Sequence, residues 1–542
     1  MISVSIYNGH NACICIMRDG EILLNWELER FSRIKHDYGF NMKFFEKSLD
    51  LAGITYEDVD IILTNSQSYG RRPPWEVPST AGKWTVESKV DNAELVPLNG
   101  CPMIAINHHL CHVASTYYTS PFDSATIITQ DGGGDDENYS VAIAEKNTIK
   151  EFEKSTLLPN IAGWWSGITL NNYRMPRLHA WDPGSGAGKI MALAAYGNTN
   201  DEIEKQLEHD MEQGMQPHYT DPDSRAYAND EDLSDTSKQK SRDVAAALQS
   251  ISEKKIKTIY DNVYRLFPNN NLCIAGGIAL NCVANTKVKS KFKNLHVPPF
   301  PNDTGLAVGM GLFHWHHILD NPKMIYKNRY FSPYTGPKYS IKEIDEVLEE
   351  DVRVKKLCRV EKDYSVDDVA EIIANENVMC VYRGRSESGP RALGHRSIIC
   401  LPSMKNGRDD LNSKVKNREM YRPYAPIILD KYVDEVLEDY LPWSPYMSTS
   451  GTIRKEWRER MDACNHIDNS TRPQIIHREH DWFTYNLIEA VYEKTGIPAI
   501  LNTSFNMQEP IVETPREALN TFFKFPIKYL LLENSLIIKY DR

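Results

Sequence analysis

AINHHLCHVASTYYTSPFDSATIITQDGGGDD, residues 105–136, is the stretch that decides how the chain is read. His108 and His112 are four residues apart, so on a helix they share one face about a turn apart. Residues 125–129 are rich in β-branched side chains and read as a strand running into Asp131, with three glycines behind it. Two imidazoles one turn apart and a carboxylate at a strand end are a common way to assemble a mononuclear metal site. Gly132 and Gly133 let the backbone approach a phosphate or another anionic group. A helix with polar histidines beside an ordinary loop gives the same pattern, so the rest of the chain has to decide.

At 542 residues the chain is too long for one core and calls for two to four domains. A formal net charge of −12 argues against a general nucleic-acid binder, whose phosphate contacts need a basic surface. The opening MISVSIYNGH lacks a basic n-region, and no run approaches a membrane span. The ten cysteines form no CxxC pair, which fits reduced thiols. A cytoplasmic protein without a membrane anchor is expected. No repeat of solenoid period is visible.

Working outward, residues 2–27 read as three strands, with Asp19-Gly20 as the tight turn between the last two and Gly9-His10 at the end of the first. The run ELERFSRIKHD is either a solvated charged helix or a charged segment following a strand end. Residues 42–52 are helical in period, and a Pro-, Ser- and Trp-rich loop over 66–95 can form a substrate wall. SVAIAEK and IKEFEKS make a second hairpin. GAGKIMALAAYG (186–197) offers Lys189 behind glycines, but Ile190 breaks the P-loop pattern. Residues 200–242 read as an acidic surface insertion, and 243–266 return to helical period. NLCIAGGIALNCVAN (271–285) is a buried strand, the Gly276-Gly277 turn and a helix, an arrangement that aims backbone N–H groups at an anion. Asp303 stands just before a helix, as an N-cap or as a carboxylate ligand.

The pattern changes over 320–362, where the domain boundary is placed. A helix over 365–376 and a strand over 378–382 follow, then the loop GRSESGPRALGHRS (384–397). Four arginines fall between Arg383 and Arg396, a density of guanidinium forks suited to phosphate oxygens. KVKNREMYRPYAPIIL adds Lys414, Lys416, Arg418 and Arg422. After the helix DWFTYNLIEAVYEKTG, PAILNTSFN presents Asn502, Thr503, Ser504 and Asn506 as a polar tip on a buried strand.

Nine ordered motifs, GHNA (9–12), ERFSRIKHD (29–37), NHHLCHVAS (107–115), GKIMALAAYG (188–197), AGGIALNCVAN (275–285), PNDTGLAVG (301–309), GPRALGHRS (389–397), RPYAP (422–426) and NTSFN (502–506), give the chain its resemblance. It resembles the O-carbamoyltransferases of nodulation-factor and antibiotic biosynthesis over nearly its whole length. The resemblance implies an α/β protein. An actin/Hsp70/sugar-kinase-like domain of the threonylcarbamoyl transferase type (1–345, with the insertion at about 200–242) would precede a YrdC-like α/β domain (346–542). It implies ATP-dependent chemistry in two stages. Carbamoyl phosphate yields carbamate, which attacks the α-phosphate of ATP to give carbamoyl-adenylate and pyrophosphate. The adenylate then passes inside the protein to the first domain, where a hydroxyl of a small-molecule natural product takes the carbamoyl group.

Carried over position by position, the resemblance implies His108, His112, Asp131 and Asp303 as metal ligands. That donor set suits iron(II), with manganese or zinc compatible. His10 is implied as general base for the acceptor hydroxyl and Lys35 as a group that binds acceptor or intermediate. Gly132, Gly133, Lys189, Gly276, Gly277 and Asn281 would meet the nucleotide or intermediate. Arg391, Lys416, Arg418, Arg422, Arg472, Asn502 and Ser504 would hold carbamoyl phosphate and ATP, the latter with Mg2+. A homodimer is compatible with this reading. Three departures stand out: His395 after GPRALG, the loose segment NSTRPQ (469–474) around Arg472, and GRSES, which keeps Glu387 without bulky neighbours.

Three other readings are weaker. A zinc peptidase needs Glu after the first histidine, and position 109 is His. A tRNA-modifying threonylcarbamoyl enzyme sits poorly with the acidic charge and a fused adenylate-forming half. A kinase of the same superfold leaves the GPRALG half unexplained.

Overall fold

Short apolar runs in the first part of the chain become two five-stranded sheets with the same plan. The computed structural model describes residues 1–39, 41–65, 101–135, 137–154, 160–175, 186–212, 233–287, 291–324, 326, 330–441 and 444–541. The loop expected at 66–95 and the centre of the expected 200–242 insertion lie outside them. In the first sheet β1 (Ile2–Tyr7), β2 (Cys13–Arg18) and β3 (Glu21–Glu27) form an antiparallel meander. Asp19 and Gly20 turn between β2 and β3 at φ 51° and 82°, the left-handed pair that a two-residue hairpin needs. β4 (Ile61–Asn65) and β5 (Met103–Ile106) add in parallel, giving the order β3-β2-β1-β4-β5.

The second sheet repeats this order and these senses with β6 (Ser124–Gly134), β7 (Glu137–Glu145), β8 (Thr148–Lys154), β9 (Asn271–Ala275) and β10 (Asn294–His296), as β10-β9-β6-β7-β8. The duplication lives in backbone pairing, which many apolar sequences satisfy equally, so it leaves no visible sequence repeat. It makes the end of β1, which leads to His10, and the end of β6, which carries Asp131, counterparts. The β6–β7 register shifts between Gln130 and Gly134, so Asp131 leaves the ladder at a bulge.

Around the sheets lie α1 (Leu28–Ser32), α2 (Met42–Ala52), α3 (His108–Tyr118), α4 (Ile161–Gly167), α5 (Ala187–Ala194), α6 (Asp201–Glu212), α7 (Gln239–Leu266), α8 (Cys282–Lys287) and α9 (Leu306–Leu312). ELERFSRIKHD is therefore helical only over α1. Arg33 enters the left-handed region and ends it. The remainder folds back so that Ala12 N–H donates to Asp37 O at 3.0 Å. The expected insertion contributes α6, whose Leu207 is fully buried and whose Glu208 pairs with Lys255 of α7 at 3.5 Å. All ten cysteines are free thiols. No helix among the described residues is long and apolar enough to cross a membrane.

The chain divides into compact units Met1–Phe331 and Ser332–Arg542. The division falls ahead of the 345/346 boundary because residues 332–339 belong to the second unit. There Tyr334 stacks on His395 with ring centroids 3.7 Å apart, and Gly336 N–H donates to Ser386 O at 3.0 Å.

The second unit is built on a mixed sheet in the order β11-β21-β20-β12-β13-β19-β14-β18. Its strands are β11 (Cys358–Glu361), β12 (Met379–Tyr382), β13 (Arg396–Cys400), β14 (Ala425–Leu429), β18 (Gln474–Ile476), β19 (Ala499–Ser504), β20 (Tyr529–Leu532) and β21 (Ser535–Lys539). A small sheet of β15 (Leu437–Glu438), β16 (Gly451–Ile453) and β17 (Ser470–Thr471) stands beside it. The expected DWFTYN helix runs Trp482–Thr495. Asp481 caps it by accepting from Phe483 and Thr484 N–H, and left-handed Gly496 ends it. Both units are thus α/β with mixed sheets.

Candidate functional site

Three elements of the first unit deliver the histidines and aspartates singled out in the sequence. Asn107, at the end of β5, caps α3 by accepting from Leu110 N–H at 3.1 Å. Asp135 Oδ2 accepts from His108 N–H at 2.7 Å, a carboxylate at a helix N-terminus. With its start fixed, α3 turns His108 and His112 to one side, and their rings lie 4.9 Å apart. Asp131 comes from the β6 bulge and Asp303 from the turn that opens α9. One ligand atom from each of the four residues lies within 4.8 Å of all the others, and all four side chains are buried. No other group of three or more such side chains converges among the described residues.

The donors are prepared for a cation. Neither nitrogen of His108 or His112 has a hydrogen-bond partner, although both side chains are at most 1 % exposed. Orphaned buried imidazoles are costly unless a missing group satisfies them. Each carboxylate has one oxygen held and the other turned inward. Gly277 N–H donates to Asp131 Oδ1 at 2.6 Å, while Asp131 Oδ2 lies 3.5 Å from His108 Nε2. Tyr7 O–H donates to Asp303 Oδ2 at 2.6 Å, and His10 Nε2 lies 3.2 Å from that oxygen. Asp303 Oδ1 faces His112 Nε2 at 3.4 Å and His108 Nε2 at 3.8 Å. Supports behind the ligands of this kind orient them for a metal.

The electrostatics agree. Burial alone would lower the His108 imidazole, but Asp131 and Asp303 outweigh it and hold it at about 8. Burial opposes ionisation of Asp131, yet His108, His112 and the Gly277 N–H keep it well below the usual carboxylate range. Asp303 is lowered too, against burial, with His10 as the largest favourable cause. A divalent cation would take the place of the proton that this field favours on His108, and its charge would balance the two buried carboxylates. His109 is different: burial lowers it to about 3, and it is anchored on Thr129 Oγ1 at 2.7 Å and Glu137 O at 3.1 Å. The residues present fit a divalent metal.

Gly276 and Gly277 shape the turn behind Asp131. Gly276 adopts φ 93°, and a Cβ there would lie 2.2 Å from Gln130 O, so the β9 turn closes on β6 only with glycine. That approach brings Gly277 N–H onto Asp131 rather than onto a phosphate. Asn281 is engaged at both ends of its amide, with Gln249 and with the N–H of Ala284. Gly132 O accepts from Asn160 Nδ2 at 2.7 Å; Gly133 lies beside it, and Lys189 is half-buried at the start of α5. His10 is 31 % exposed, so its ring is open to a ligand while one nitrogen rests on Asp303. Lys35 lies in the segment that returns to this turn, next to His36, whose Nδ1 meets Asn11 Oδ1 at 2.6 Å.

In the second unit, β13 pairs with β19 so that Ser504 lies opposite Ser397 and Asn502 opposite Ile399. Lys416, 3 % exposed, places its ammonium on Ser504 O, Asn506 O and Asn506 Oδ1 at 2.8, 2.7 and 2.6 Å, with Ser504 Oγ at 3.2 Å. The four acceptors exceed its three N–H groups, so Lys416 sets the shape of the strand tip. Asn502 Nδ2 donates to Ala392 O at 2.9 Å and lies 3.3 Å from Gln474 Oε1. This joins the loop of Arg391 to the segment of Arg472, both half-buried. Arg418 stacks on Tyr424 at 4.3 Å and donates to Asn412 Oδ1 at 2.8 Å; burial and the neighbouring Arg422 push it down to about 10. Arg422 lies 3.6 Å from Glu419. Glu387 Oε1 accepts from the N–H groups of Leu393, His395 and Arg396 at 2.7, 2.9 and 3.1 Å, which fixes the GPRALG turn. His395 Nε2 lies 3.4 Å from Asp481 Oδ2, so the departure from the expected residue has a local partner.

Sequence reasoning missed Tyr7, Asp135 and Gln474 as parts of these clusters. Only Tyr7 carried a signal, as the last residue of the strand that delivers His10.

Comparison with known proteins completes the picture. The chain matches the family models Carbamoyltransferase N-terminus over residues 86–312 and Carbamoyltransferase C-terminus over residues 370–539. It is 30% identical to an uncharacterized protein of Synechocystis sp., sll1178, with 99% of this chain and 96% of that protein covered. It is 27% identical to Nodulation protein NolNO of Sinorhizobium fredii, covering 98% of this chain and 79% of the relative. Among solved structures, component A of (R)-2-hydroxyglutaryl-CoA dehydratase from Acidaminococcus fermentans aligns at TM-score 0.33 and 13% identity, covering 58% of this chain and 98% of that one. HypF of T. kodakarensis aligns at TM-score 0.35 and 11% identity, covering 59% and 48%. With one family model matched in each unit and a relative matched from end to end, the chain belongs to the carbamoyltransferase family.

Proposed function

We propose that this protein is an ATP-dependent O-carbamoyltransferase that divides its chemistry between its units. The observation that carries the reading is a buried two-histidine, two-aspartate centre in one unit of a chain that matches carbamoyltransferase family models in both units. In the second unit, read as YrdC-like, Arg391, Arg418, Arg422 and Arg472 would hold the phosphates of carbamoyl phosphate and of ATP with its Mg2+, and Lys416 would keep Ser504 and Asn506 in position. Asn502 and Ser504 would hydrogen-bond the carbamoyl group. Water releases carbamate and phosphate from carbamoyl phosphate, and a carbamate oxygen then displaces pyrophosphate from the α-phosphate of ATP.

The first unit, whose duplicated sheets support the actin/Hsp70/sugar-kinase reading, would accept the carbamoyl-adenylate, with Lys189 and the Gly132–Gly133 backbone on its nucleotide side. His108, His112, Asp131 and Asp303 would hold a divalent metal, iron(II) by preference of the donor set, which supplies positive charge for the leaving adenylate. His10 keeps Nε2 on Asp303 and offers Nδ1 to the proton of the acceptor hydroxyl as its oxygen attacks the carbamoyl carbon and AMP leaves. Lys35 would contribute positive charge to the acceptor or intermediate. The acceptor is read as a hydroxyl of a small-molecule natural product.

The test separates the two stages. His112→Ala should keep carbamoyl-phosphate-dependent pyrophosphate release while carbamoyl transfer to an acceptor alcohol is lost. Loss of both would overturn the division of labour.

A further inference from the structure

The ligand Asp303 does not hold itself in position. Its outer oxygen, Oδ2, accepts from Tyr7 O–H at 2.6 Å, inside the protein, with Tyr7 2 % exposed. The Tyr7 ring also meets the ring of His108 edge-on, with centroids 6.2 Å apart and planes at 67°. One side chain thus supports a carboxylate ligand by hydrogen bond and an imidazole ligand by packing. The same carboxylate oxygen receives His10 Nε2 at 3.2 Å, so Tyr7 also helps fix the group on which His10 rests.

A second observation is independent of the hydrogen bond. A Cβ on Gly9 would stand 2.2 Å from Tyr7 Oη and 2.5 Å from Tyr7 Cζ. The turn that carries His10 therefore passes directly over the Tyr7 hydroxyl and leaves no room for even a methyl group.

We propose that Tyr7 is a positioning residue of the metal centre. It holds Asp303 so that Oδ1 alone faces the imidazoles, and Gly9 is present to leave its hydroxyl in place. Carboxylate ligands anchored through their second oxygen bind with a fixed, one-oxygen geometry, and removing such an anchor costs about 10–100-fold in metal affinity. The inference rests on reading the four residues as a metal centre, and the experiment keeps the two apart.

The metal-free full chain is titrated with Co2+, following the visible ligand-field bands, and affinity is taken by competition with a chromophoric chelator. Wild type should bind one Co2+. Tyr7→Phe keeps the ring against His108 but removes the O–H, and should bind about 10–100-fold more weakly with shifted bands. Gly9→Ala retains the tyrosine but displaces its hydroxyl, and should weaken binding in the same direction, which serves if Tyr7→Phe folds poorly. Equal affinity and identical bands in wild type and either folded variant would overturn the role of Tyr7 alone. Absence of Co2+ binding by the wild-type chain would overturn the centre, and this inference with it.

Discussion

Replacing His112 by alanine separates two contributions that ordinary core mutations combine. The side chain is fully buried and neither ring nitrogen has a hydrogen-bond partner. Truncation loses packing worth about 2–3 kcal/mol, yet it also removes two buried unsatisfied polar atoms, each costing about 1–3 kcal/mol. These oppose one another, so the metal-free variant should lie between about 1 kcal/mol less stable and about 4 kcal/mol more stable than metal-free wild type. Metal changes the comparison. At a free metal concentration 100 times the wild-type Kd, binding stabilises the folded state by about 2.7 kcal/mol. For a unit spanning Met1–Phe331, unfolding entropy near Tm is roughly 0.7 kcal/mol/K, from about 2.1 cal/mol/K per residue, so the shift should be about 4 °C. If the variant binds 100-fold more weakly, the gain at the same concentration is about 0.4 kcal/mol, less than about 1 °C. Scanning calorimetry of both proteins, with chelator and then with Fe2+ under anaerobic conditions, measures this directly. A metal-dependent shift of equal size in wild type and His112→Ala would refute the assignment of His112 as a ligand.

Other consequences follow from particular contacts. Gly276→Ala forces a side chain into φ 93° and against Gln130 O; it should destabilise the first unit by roughly 2 kcal/mol or more, seen as a lower urea midpoint, and weaken metal binding through the Gly277–Asp131 hydrogen bond. Lys416→Met leaves the acceptors on Ser504 and Asn506 without their donor, and should cost the second unit about 2–4 kcal/mol and abolish pyrophosphate release, while the metal-dependent thermal shift survives. The carboxyl of Asp481 is held well below its usual range, against burial, by His395 and the first turn of its helix. A depressed acid stabilises the fold above its unfolded pKa of about 4 and loses that contribution as pH falls toward the folded value. Wild type should therefore lose stability more steeply below about pH 4 than Asp481→Asn, measured by urea unfolding at stepped pH; parallel curves would remove Asp481 from the account.

The sequence was most informative where local chemistry and local geometry coincide. The i, i+4 spacing of His108 and His112 survives folding because one helix carries both, and the Asp19-Gly20 turn needs only two residues. Asp303 shows the limit. Its position before a helix fits an N-cap as well as a ligand, and only the packing of α9 beside α3 brings it to the histidines. The Gly276-Gly277 turn was legible as a place of close backbone approach. Its partner was not, because a backbone N–H aimed outward suits a phosphate and an aspartate equally. Tyr7 escaped notice for a related reason: a tyrosine ending a buried strand is ordinary, and its hydroxyl gains meaning only from a carboxylate 296 residues away. Lys416 was read from its charge and from the resemblance, and three-dimensional pairing joins it to the NTSFN tip. The doubled sheet order left no trace in side chains, since strand pairing is written in the backbone.

The central claim is that the two units share one carbamoyl-adenylate intermediate, and the most direct test uses the full chain without an acceptor. With ATP, Mg2+ and carbamoyl phosphate present, pyrophosphate should be released and a carbamoyl-adenylate should be detected by mass spectrometry, with neither product when carbamoyl phosphate is omitted. If no AMP-containing product forms, or if it forms only when tRNA is added, the account of a small-molecule carbamoyltransferase is contradicted.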